Sequence, residues 1–407
     1  MKTSSAEIVI VGAGIVGLAL ARELKRRLPF KNILILEKEP SLGLHASGRN
    51  SGVLHTGVYY PSNTVKAKVC AEGARLMREY CMERCLPVER IGKIILPAHS
   101  KDDSMLDELL NRAKANGATA KIISSTDLHS MEPHAKTATG RALFVPEAAI
   151  VNPKMILKTL EDDLTQQGVE IQTHCRVLGV NPATREIQTS TGTLQYEFLI
   201  NAAGMYADEI AKPFGVGLNY EILPFKGLYY ELRKESSLSI SHLLYPVPDL
   251  SVPFLGVHFT PSINKKIYVG PTAIPAFGKE NYGWFEDLHV SEMSRIGFRV
   301  AEQFMRNSQG FRKLTLQEGS RFLKPNFLNA ARSIVSGLKM KDLKSSDKVG
   351  IRAQLFDKTK KELVMDFVVE KAQNSIHVLN AVSPGFTSSM AFAKFILDRY
   401  TEWGDPI

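Results

Sequence analysis

The sequence predicts an α/β fold with α+β character, in which a Rossmann-like dinucleotide-binding domain carries an inserted domain built on a large mixed or antiparallel sheet. Three observations predict it. Residues 7–37 read as a strand, a glycine-rich turn, a helix and a second strand. Residues 220–270 are rich in aromatic and β-branched residues, which is typical of sheet. The chain ends, over 349–400, as three strands and a helix. The first domain is therefore expected to be completed from both chain ends.

The first βαβ unit carries a dinucleotide fingerprint, Gly12-Ala13-Gly14-Ile15-Val16-Gly17. Gly12 allows the tight turn, Gly14 lets the backbone approach a pyrophosphate, and Gly17 permits close packing of helix on strand. The helix N-terminus offers N–H groups to phosphates. Glu37 ends the second strand, where a carboxylate accepts ribose hydroxyls and disfavours a 2′-phosphate. FAD or NAD is therefore the expected ligand, and Lys38, the next residue, is expected to contact it.

The remaining elements follow from hydrophobic periodicity and turn signals. The sequence predicts helices over 64–85, 101–116, 153–167, 290–306 and 386–400, and strands over 86–98, 141–145, 169–180, 186–190, 194–201, 349–356, 363–369 and 376–379. From this order we expect a discontinuous cofactor domain of residues 1–90, 145–215 and 345–407. The substrate domain is expected to comprise residues 91–144 and 216–344.

Composition and charge restrict the possible partners. The net charge is +9, and no apolar run approaches the length of a membrane span. Residues 321–348 contain seven Lys or Arg against two Asp, interleaved with apolar side chains. This pattern fits a solvated basic face or a peripheral contact with an anionic membrane. Nucleic acid is not expected as a partner, because no recognition motif accompanies the charge. No metal site is expected.

Three further loops contain the small residues that let backbone approach a cofactor. Residues 47–52, with Ser47, Asn50, Ser51 and Gly52, follow the second strand. Residues 199–208 end a strand at Ala203 and Gly204, and in a protein with this fingerprint they favour flavin over nicotinamide. Residues 380–389 lead into the last helix, where Thr387 and Ser388 are suited to the N-cap. A helix N-terminus facing a flavin would stabilise its anionic reduced ring.

Seven stretches give the chain a resemblance to the FAD-dependent oxidoreductases of the D-amino-acid-oxidase type, and within them to the L-2-hydroxyglutarate oxidases and dehydrogenases. They are GRNSGVLHTGVYYP (48–61), FVPEAAIVNP (144–153), LPFKGLYYEL (223–232), YPVPDLSVPFLGVHFT (245–260), YVGPTA (268–273), GIRAQ (350–354) and NAVSPGFTSS (380–389). The last stretch departs from the family, whose members usually carry Ala after Ser-Pro where this chain has Gly385-Phe386. Phe386 is therefore expected to narrow the pocket.

The resemblance implies tightly bound FAD as the cofactor. The expected cofactor-binding residues are Gly12, Gly14, Ile15, Val16, Gly17, Glu37, Lys38, Ser47, Asn50, Ser51, Gly52, Val177, Ala203, Gly204, Asp208, Pro384, Gly385, Thr387 and Ser388. His45 is a possible covalent attachment point, because some relatives hold their flavin in this way.

The implied reaction is oxidation of L-2-hydroxyglutarate to 2-oxoglutarate by hydride transfer from C2 to flavin N5. Arg352, in GIRAQ, stands where the wider family binds a substrate carboxylate, a task that suits a guanidinium. His55 and His258 are the candidate bases, since imidazole titrates near neutral pH. The distal carboxylate is expected to bind Lys226, His55 or His258, and Tyr60 is expected to close the pocket.

Two alternatives stay open at this point: an amine oxidase of the glycine or sarcosine type on the same fold, and a flavin-binding partner subunit without catalysis of its own. The expected partner is a small anionic hydroxy acid. A respiratory electron acceptor is possible for such enzymes. The expected location is cytoplasmic, with possible peripheral association with the inner membrane through 321–348.

Overall fold

The structure is a computed structural model, which describes residues 4–250, 252–283 and 286–403. The helices in these ranges are α1 Ile15–Arg27, α2 Val65–Glu83, α3 Asp103–Ala115, α4 Ser125–Met131, α5 Pro153–Gln166, α6 Ala207–Ala211, α7 Val290–Arg306, α8 Phe311–Ser320, α9 Lys324–Arg332 and α10 Gly385–Tyr400. None of them is both long and apolar enough to cross a membrane.

The strands fall into two large sheets and one small sheet. They are β1 Ser4–Val11, β2 Ile33–Leu36, β3 Val53–Leu54, β4 Val88–Glu89, β5 Lys93–Leu96, β6 Lys121–Ser124, β7 Arg141–Val145, β8 Ala149–Val151, β9 Glu170–Gln172, β10 Val177–Asn181, β11 Glu186–Thr189, β12 Gly192–Asn201, β13 Tyr220–Leu232, β14 Leu243–Pro246, β15 His258–Pro261, β16 Ile267–Gly270, β17 Ile274–Pro275, β18 Leu343–Asp357, β19 Glu362–Leu363, β20 Val368–Ala372 and β21 Ser375–Asn380.

The first large sheet has a parallel centre in the order β12, β1, β2, β9, and β21 joins β12 in parallel. Alternate residues of β1 enter two different cores. Ile8 and Ile10 pack with α1, α5 and α10, whereas Val9 and Val11 pack with residues of β11 and β12. Burial on both faces explains why these strands read as continuous apolar runs. The predicted βαβ unit and the α/β fold class are confirmed.

The second large sheet has ten strands, and the longest pairing joins β13 to β18. This pairing bears on the expected domain organisation. The sequence assigned residues from 345 onward to the cofactor domain, but β18 (Leu343–Asp357) and β19 belong to the second sheet. The reason is physical: β18 finds its partner more than a hundred residues away, and no local pattern encodes that choice. The domain boundaries themselves stay a prediction.

The N-terminal ends of two helices show which residues cap them. Thr64 caps α2, with its Oγ1 accepting a hydrogen bond from the Ala67 N–H at 3.2 Å. The corresponding prediction for α10 is wrong. This helix begins at Gly385 with Pro384 at the N-cap, and no side chain caps it. Thr387 and Ser388 lie inside the first turn and are buried, so their hydroxyls cannot reach the capping position.

Candidate active site

A cavity of about 710 Å³ lies between the two large sheets. Residues 11–16, from the end of β1 and the start of α1, line it from the first sheet. Residues of β13, β15 and β18 line it from the second sheet. A large cavity where two domains meet is the usual position of a cofactor or substrate site.

The glycine turn is shaped so that side chains are excluded. Gly12 has φ +104°, and a Cβ there would lie 2.6 Å from the carbonyl oxygen of Ala202. A Cβ on Gly17 would lie only 2.0 Å from the carbonyl oxygen of Gly12. Gly17 therefore packs the helix onto the strand and does not itself line the cavity, whereas Gly12 and Gly14 do. The backbone is left open to a ligand at this point, as a phosphate site requires.

Glu37 links the end of β2 to the glycine turn. Its carboxylate accepts hydrogen bonds from the N–H groups of Ala13 at 3.1 Å and Glu39 at 3.0 Å. Lys38, beside it, pairs with Glu280 at 2.5 Å and lies over the Tyr206 ring. Glu37 and Lys38 both line the cavity, as expected for residues that meet the ribose.

The 47–52 loop is fixed by its own polar side chains. Ser47 Oγ accepts a hydrogen bond from the Ile15 N–H at 3.0 Å, which ties this loop to the start of α1. Asn50 Nδ2 donates to the Ser47 carbonyl at 2.7 Å, and the Gly52 N–H donates to Asn50 Oδ1 at 2.9 Å. Ser47, Asn50 and Ser51 line the cavity, whereas Gly52 does not. The role of Gly52 is in the turn, where it has φ +75°.

The other expected cofactor residues divide into two groups. Those that line the cavity are Ile15, Val16, Val177, Ala203, Gly204, Pro384, Gly385 and Thr387, together with Phe386. Asp208 and Ser388 do not line it. Asp208 is fully buried and lies 3.5 Å from Lys279 Nζ and 3.7 Å from Lys212 Nζ. Asp208 thus lies outside the cavity lining and forms ion pairs with these two lysines.

His45 lines the cavity within a compact polar cluster. Its Nε2 lies 2.8 Å from a Glu39 carboxylate oxygen and its Nδ1 lies 2.9 Å from the Tyr282 hydroxyl. The ligand atoms of Glu39, His45 and Glu280 lie within 4.8 Å of one another. Lys38 forms ion pairs with both carboxylates, so this lysine offsets part of their negative charge.

Both candidate bases line the cavity and are buried. His258 Nδ1 lies 2.8 Å from the Gly256 carbonyl oxygen, so the neutral ring carries its proton there and Nε2 holds the lone pair. The ring stacks on Tyr245 with centroids 3.9 Å apart. Burial lowers the pKa of His258 to about 3 and holds the pKa of His55 well below its usual value. Both imidazoles are therefore neutral near pH 7.

Thr387 positions the loop that carries His55. Its hydroxyl donates to the Val53 carbonyl at 3.2 Å and accepts a hydrogen bond from the His55 N–H at 3.1 Å. The start of α10 is thereby joined to the loop that follows β3. This contact explains why a polar residue is buried at this position in the helix.

Arg352 projects from β18 and lines the cavity. Its Nη1 donates to the Pro253 carbonyl at 2.5 Å, and its guanidinium lies 5.5 Å from the centre of the Phe254 ring. Its Nε is buried and without a partner in the described part of the chain. Burial lowers the pKa of Arg352 to about 10, so it still carries a full charge at neutral pH.

Lys226 and Tyr60 occupy different environments. Lys226 lines the cavity, and its ammonium donates to Asn281 Oδ1 at 2.8 Å and to the Gly283 carbonyl at 2.7 Å. Tyr60 does not line the cavity, although burial raises its pKa and Arg352 is close enough to oppose that shift. The expected closure of the pocket by Tyr60 stays a prediction.

The chain matches a family model described as FAD dependent oxidoreductase over residues 7–399. It is 34% identical to L-2-hydroxyglutarate dehydrogenase of Indibacter alkaliphilus, over 96% of this chain and 98% of that protein. It is 33% identical to the human mitochondrial L-2-hydroxyglutarate dehydrogenase, over 98% of this chain and 89% of that protein.

The chain belongs to the L-2-hydroxyglutarate dehydrogenase family of FAD-dependent oxidoreductases. The family assignment and the expectation of FAD are thereby confirmed. Among solved structures, the FAD-bound L-α-glycerophosphate oxidase of Mycoplasma pneumoniae has a TM-score of 0.75 at 21% identity, covering 100% of this chain and 99% of that chain. Glycine oxidase of Geobacillus kaustophilus has a TM-score of 0.72 at 16% identity, covering 97% and 94%. These two likenesses concern the fold.

The geometry of the cavity fits FAD. The glycine turn has no space for a Cβ at Gly12 or Gly17, and the cavity runs from that turn to β18. Glu37 supplies the carboxylate expected at a ribose. The proposed flavin contacts are the lining residues of the three loops at 47–51, 203–204 and 384–387.

Sequence reasoning missed four groups in or near the cavity. Lys93 and Tyr245 contact His55 and His258 respectively. Lys66 is buried. Its burial, and to a smaller extent the nearby positive charge of Arg352, lower the pKa of Lys66 to about 7. Tyr229 lines the cavity. One signal was available: Lys93 opens the apolar run Ile94-Ile95-Leu96, and a lysine in a buried strand needs an explanation.

Proposed function

We propose that this chain oxidises L-2-hydroxyglutarate to 2-oxoglutarate with FAD as the electron acceptor. One observation carries the proposal: the glycine turn, the Arg352 guanidinium and two neutral imidazoles all line the same cavity. A 2-hydroxy acid needs these groups: a cation for its carboxylate and a base for its hydroxyl proton. When bound, FAD supplies the acceptor for the hydride from C2.

Arg352 binds the carboxylate next to the reacting carbon in this proposal. One Nη group is already held by the Pro253 carbonyl, which fixes the plane of the guanidinium. The Nε is buried and has no hydrogen-bond partner among the described residues, and in this proposal a carboxylate oxygen becomes its acceptor. A guanidinium in a buried site recognises a carboxylate through two parallel hydrogen bonds, which also orients the substrate.

Lys226 is the proposed anchor for the second carboxylate. The sequence offered three groups for this role. His55 and His258 are neutral near pH 7. The ammonium group of Lys226, by contrast, is a cation, and Asn281 and Gly283 hold it in place. A second cation makes the site selective for dicarboxylates over lactate-like acids. The Lys226→Met variant should therefore lose most of its preference for L-2-hydroxyglutarate over L-2-hydroxybutyrate, measured as the ratio of the two kcat/KM values.

His55 is the proposed acceptor of the hydroxyl proton. The Nδ1 of His258 is bound to a backbone carbonyl, which cannot take a proton onward. The Nδ1 of His55 instead contacts a basic side chain, Lys93, at 3.3 Å. His55→Gln should slow flavin reduction at least a hundredfold, in the range expected for loss of a general base.

The final electron acceptor is proposed to be a respiratory carrier reached at a membrane surface, with the protein otherwise in the cytoplasm. The support is a basic segment, 321–348, with exposed Phe322 and Leu323 beside Arg321 and Lys324. Cosedimentation with anionic vesicles tests the contact. Binding that Leu323→Glu weakens supports it, whereas no binding at low salt refutes it.

Anaerobic mixing tests the reaction itself. The purified holoenzyme is mixed with L-2-hydroxyglutarate, D-2-hydroxyglutarate, glycine, sarcosine and α-glycerophosphate in separate experiments. Loss of the flavin absorbance with L-2-hydroxyglutarate alone is the expected result. Loss of the absorbance with glycine or sarcosine would refute the proposal and favour an amine oxidase. Retention of the absorbance with every donor would refute it and favour a non-catalytic subunit.

A further inference from the structure

Lys93 is a buried basic group directly behind His55. Its side chain is 1% exposed, and its Nζ lies 3.3 Å from His55 Nδ1. The rings of Tyr59 and Tyr245 lie 5.1 Å and 4.5 Å from the same Nζ. No carboxylate pairs with Lys93 anywhere in residues 4–250, 252–283 and 286–403. His55 lines the cavity and Lys93 does not, so Lys93 can act on a substrate only through His55.

The contact between Lys93 and His55 has two proton arrangements. A charged Lys93 donates to Nδ1, and the ring then carries its own proton on Nε2. A neutral Lys93 accepts a hydrogen bond from Nδ1–H, and Nε2 is then the basic nitrogen. A charged Lys93 therefore leaves His55 as a donor at Nε2, whereas a neutral Lys93 allows Nε2 to be a base.

We propose that neutral Lys93 is the final acceptor of the substrate hydroxyl proton, acting through His55. This inference rests on the proposed oxidation of a 2-hydroxy acid. The C2–H bond breaks and its electron pair leaves as hydride to FAD, while the C2–O bond becomes a carbonyl. The hydroxyl proton passes to Nε2 of His55, and the Nδ1 proton of His55 passes to Lys93 Nζ. The imidazole ends neutral in the other tautomer, and Lys93 ends as an ammonium group.

The surroundings of Lys93 favour the neutral amine before the reaction. The groups that face it are Tyr59, Cys70 from α2, Tyr245 from β14, and the two imidazoles. None is an anion at neutral pH, since burial raises the pKa of Cys70 to about 12 and that of both tyrosines. Burial lowers the pKa of Lys93 to about 7.

The kinetic test measures flavin reduction by L-2-hydroxyglutarate in anaerobic stopped flow from pH 5.5 to 9. The wild-type rate should rise tenfold per pH unit at low pH and level off near pH 7. Lys93→Met should lose this inflection and fall about a hundredfold in rate with its substrate Kd unchanged. Lys121→Met, at an exposed position of β6, is the matched control and should behave as wild type. Persistence of the inflection in Lys93→Met would overturn the proposal.

Chemical rescue separates a chemical role from a structural one. In Lys93→Ala, small primary amines such as methylamine and ethylamine should restore the rate in proportion to the concentration of free base. If Lys93 contributed only packing, the rescued rate would not depend on the pKa of the added amine. Lack of rescue by every amine would count against Lys93 as the proton acceptor.

A spectroscopic test does not depend on activity or on the variants of Lys93. ¹⁵N-histidine NMR of the wild-type holoenzyme reads the tautomer of His55, with the signal assigned through His55→Gln. His55 should carry its proton on Nε2 below pH 6 and on Nδ1 above pH 8. A single tautomer over this whole range would overturn the proposal. Failure of the wild-type bleaching experiment would instead refute the proposed reaction.

Discussion

Replacement of Arg352 by Met tests the substrate anchor most directly. Methionine keeps an apolar side chain against Phe254 and removes the charge and the N–H groups. Loss of one partner from a buried, hydrogen-bonded charge pair costs about 2–5 kcal/mol. Arg352 is cationic, half-buried and has an unpartnered Nε, so we expect about 3 kcal/mol. This corresponds to a rise in substrate Kd of about 150-fold.

The assay is the substrate dependence of flavin reduction in anaerobic stopped flow, with FAD content read from the ratio of flavin to protein absorbance. Arg332→Met is the matched control, because its guanidinium also donates to a backbone carbonyl, that of Leu338, but lies outside the cavity. Arg352→Met should retain FAD, and Arg352→Lys should recover part of the affinity. Loss of FAD, or a Kd within threefold of wild type, would refute the anchor role.

Three further predictions concern the cofactor site and the buried lysines. Gly17→Ala places a Cβ 2.0 Å from the Gly12 carbonyl oxygen, so the purified protein should contain little FAD; normal FAD content would contradict the packing argument. Glu37→Gln removes a charged acceptor and should raise the FAD Kd of reconstituted apoprotein at least tenfold; an unchanged Kd would exclude it as the ribose ligand. Because Lys66 and Lys93 have pKa values lowered to about 7, the unfolded state binds more protons above pH 7. The free energy of unfolding should therefore rise from pH 7 to 8, by about 1 kcal/mol for each lysine; a fall in denaturant titrations would contradict this.

The sequence was sufficient for the βαβ unit, because that unit is encoded locally. The glycine spacing, the apolar strands and Glu37 all lie within 7–37, and the structure has strand Ser4–Val11, helix Ile15–Arg27 and strand Ile33–Leu36 there. Helices with strong periodicity were also placed correctly, as in α7 over Val290–Arg306. The sequence did not predict α4, α8 and α9.

Features that depend on distant partners were not predictable in the same way. The sheet to which β18 belongs follows from its pairing with β13, and the burial of Thr387 follows from its contact with the His55 loop. A hydroxyl near a helix start suggests an N-cap, but the same residue inside the first turn bonds elsewhere. Sequence patterns alone could not separate these two outcomes.

The candidate site shows the same limit. Arg352, His55 and His258 were selected because their motifs resemble those of a family, and the cavity contains all three. Lys93 has no such motif, and its position behind His55 appears only when β5 is placed beside the loop after β3. Tyr60, by contrast, was selected from its motif, yet it does not line the cavity.

The central claim is that a dicarboxylic 2-hydroxy acid reduces the flavin of this chain. Anaerobic titration of the holoenzyme with L-2-hydroxyglutarate tests this claim most directly. The account predicts full loss of the flavin absorbance at one equivalent per FAD, with one equivalent of 2-oxoglutarate formed and no response to glycine or sarcosine. Retention of the absorbance with L-2-hydroxyglutarate, together with its loss on addition of an amino acid, would contradict it.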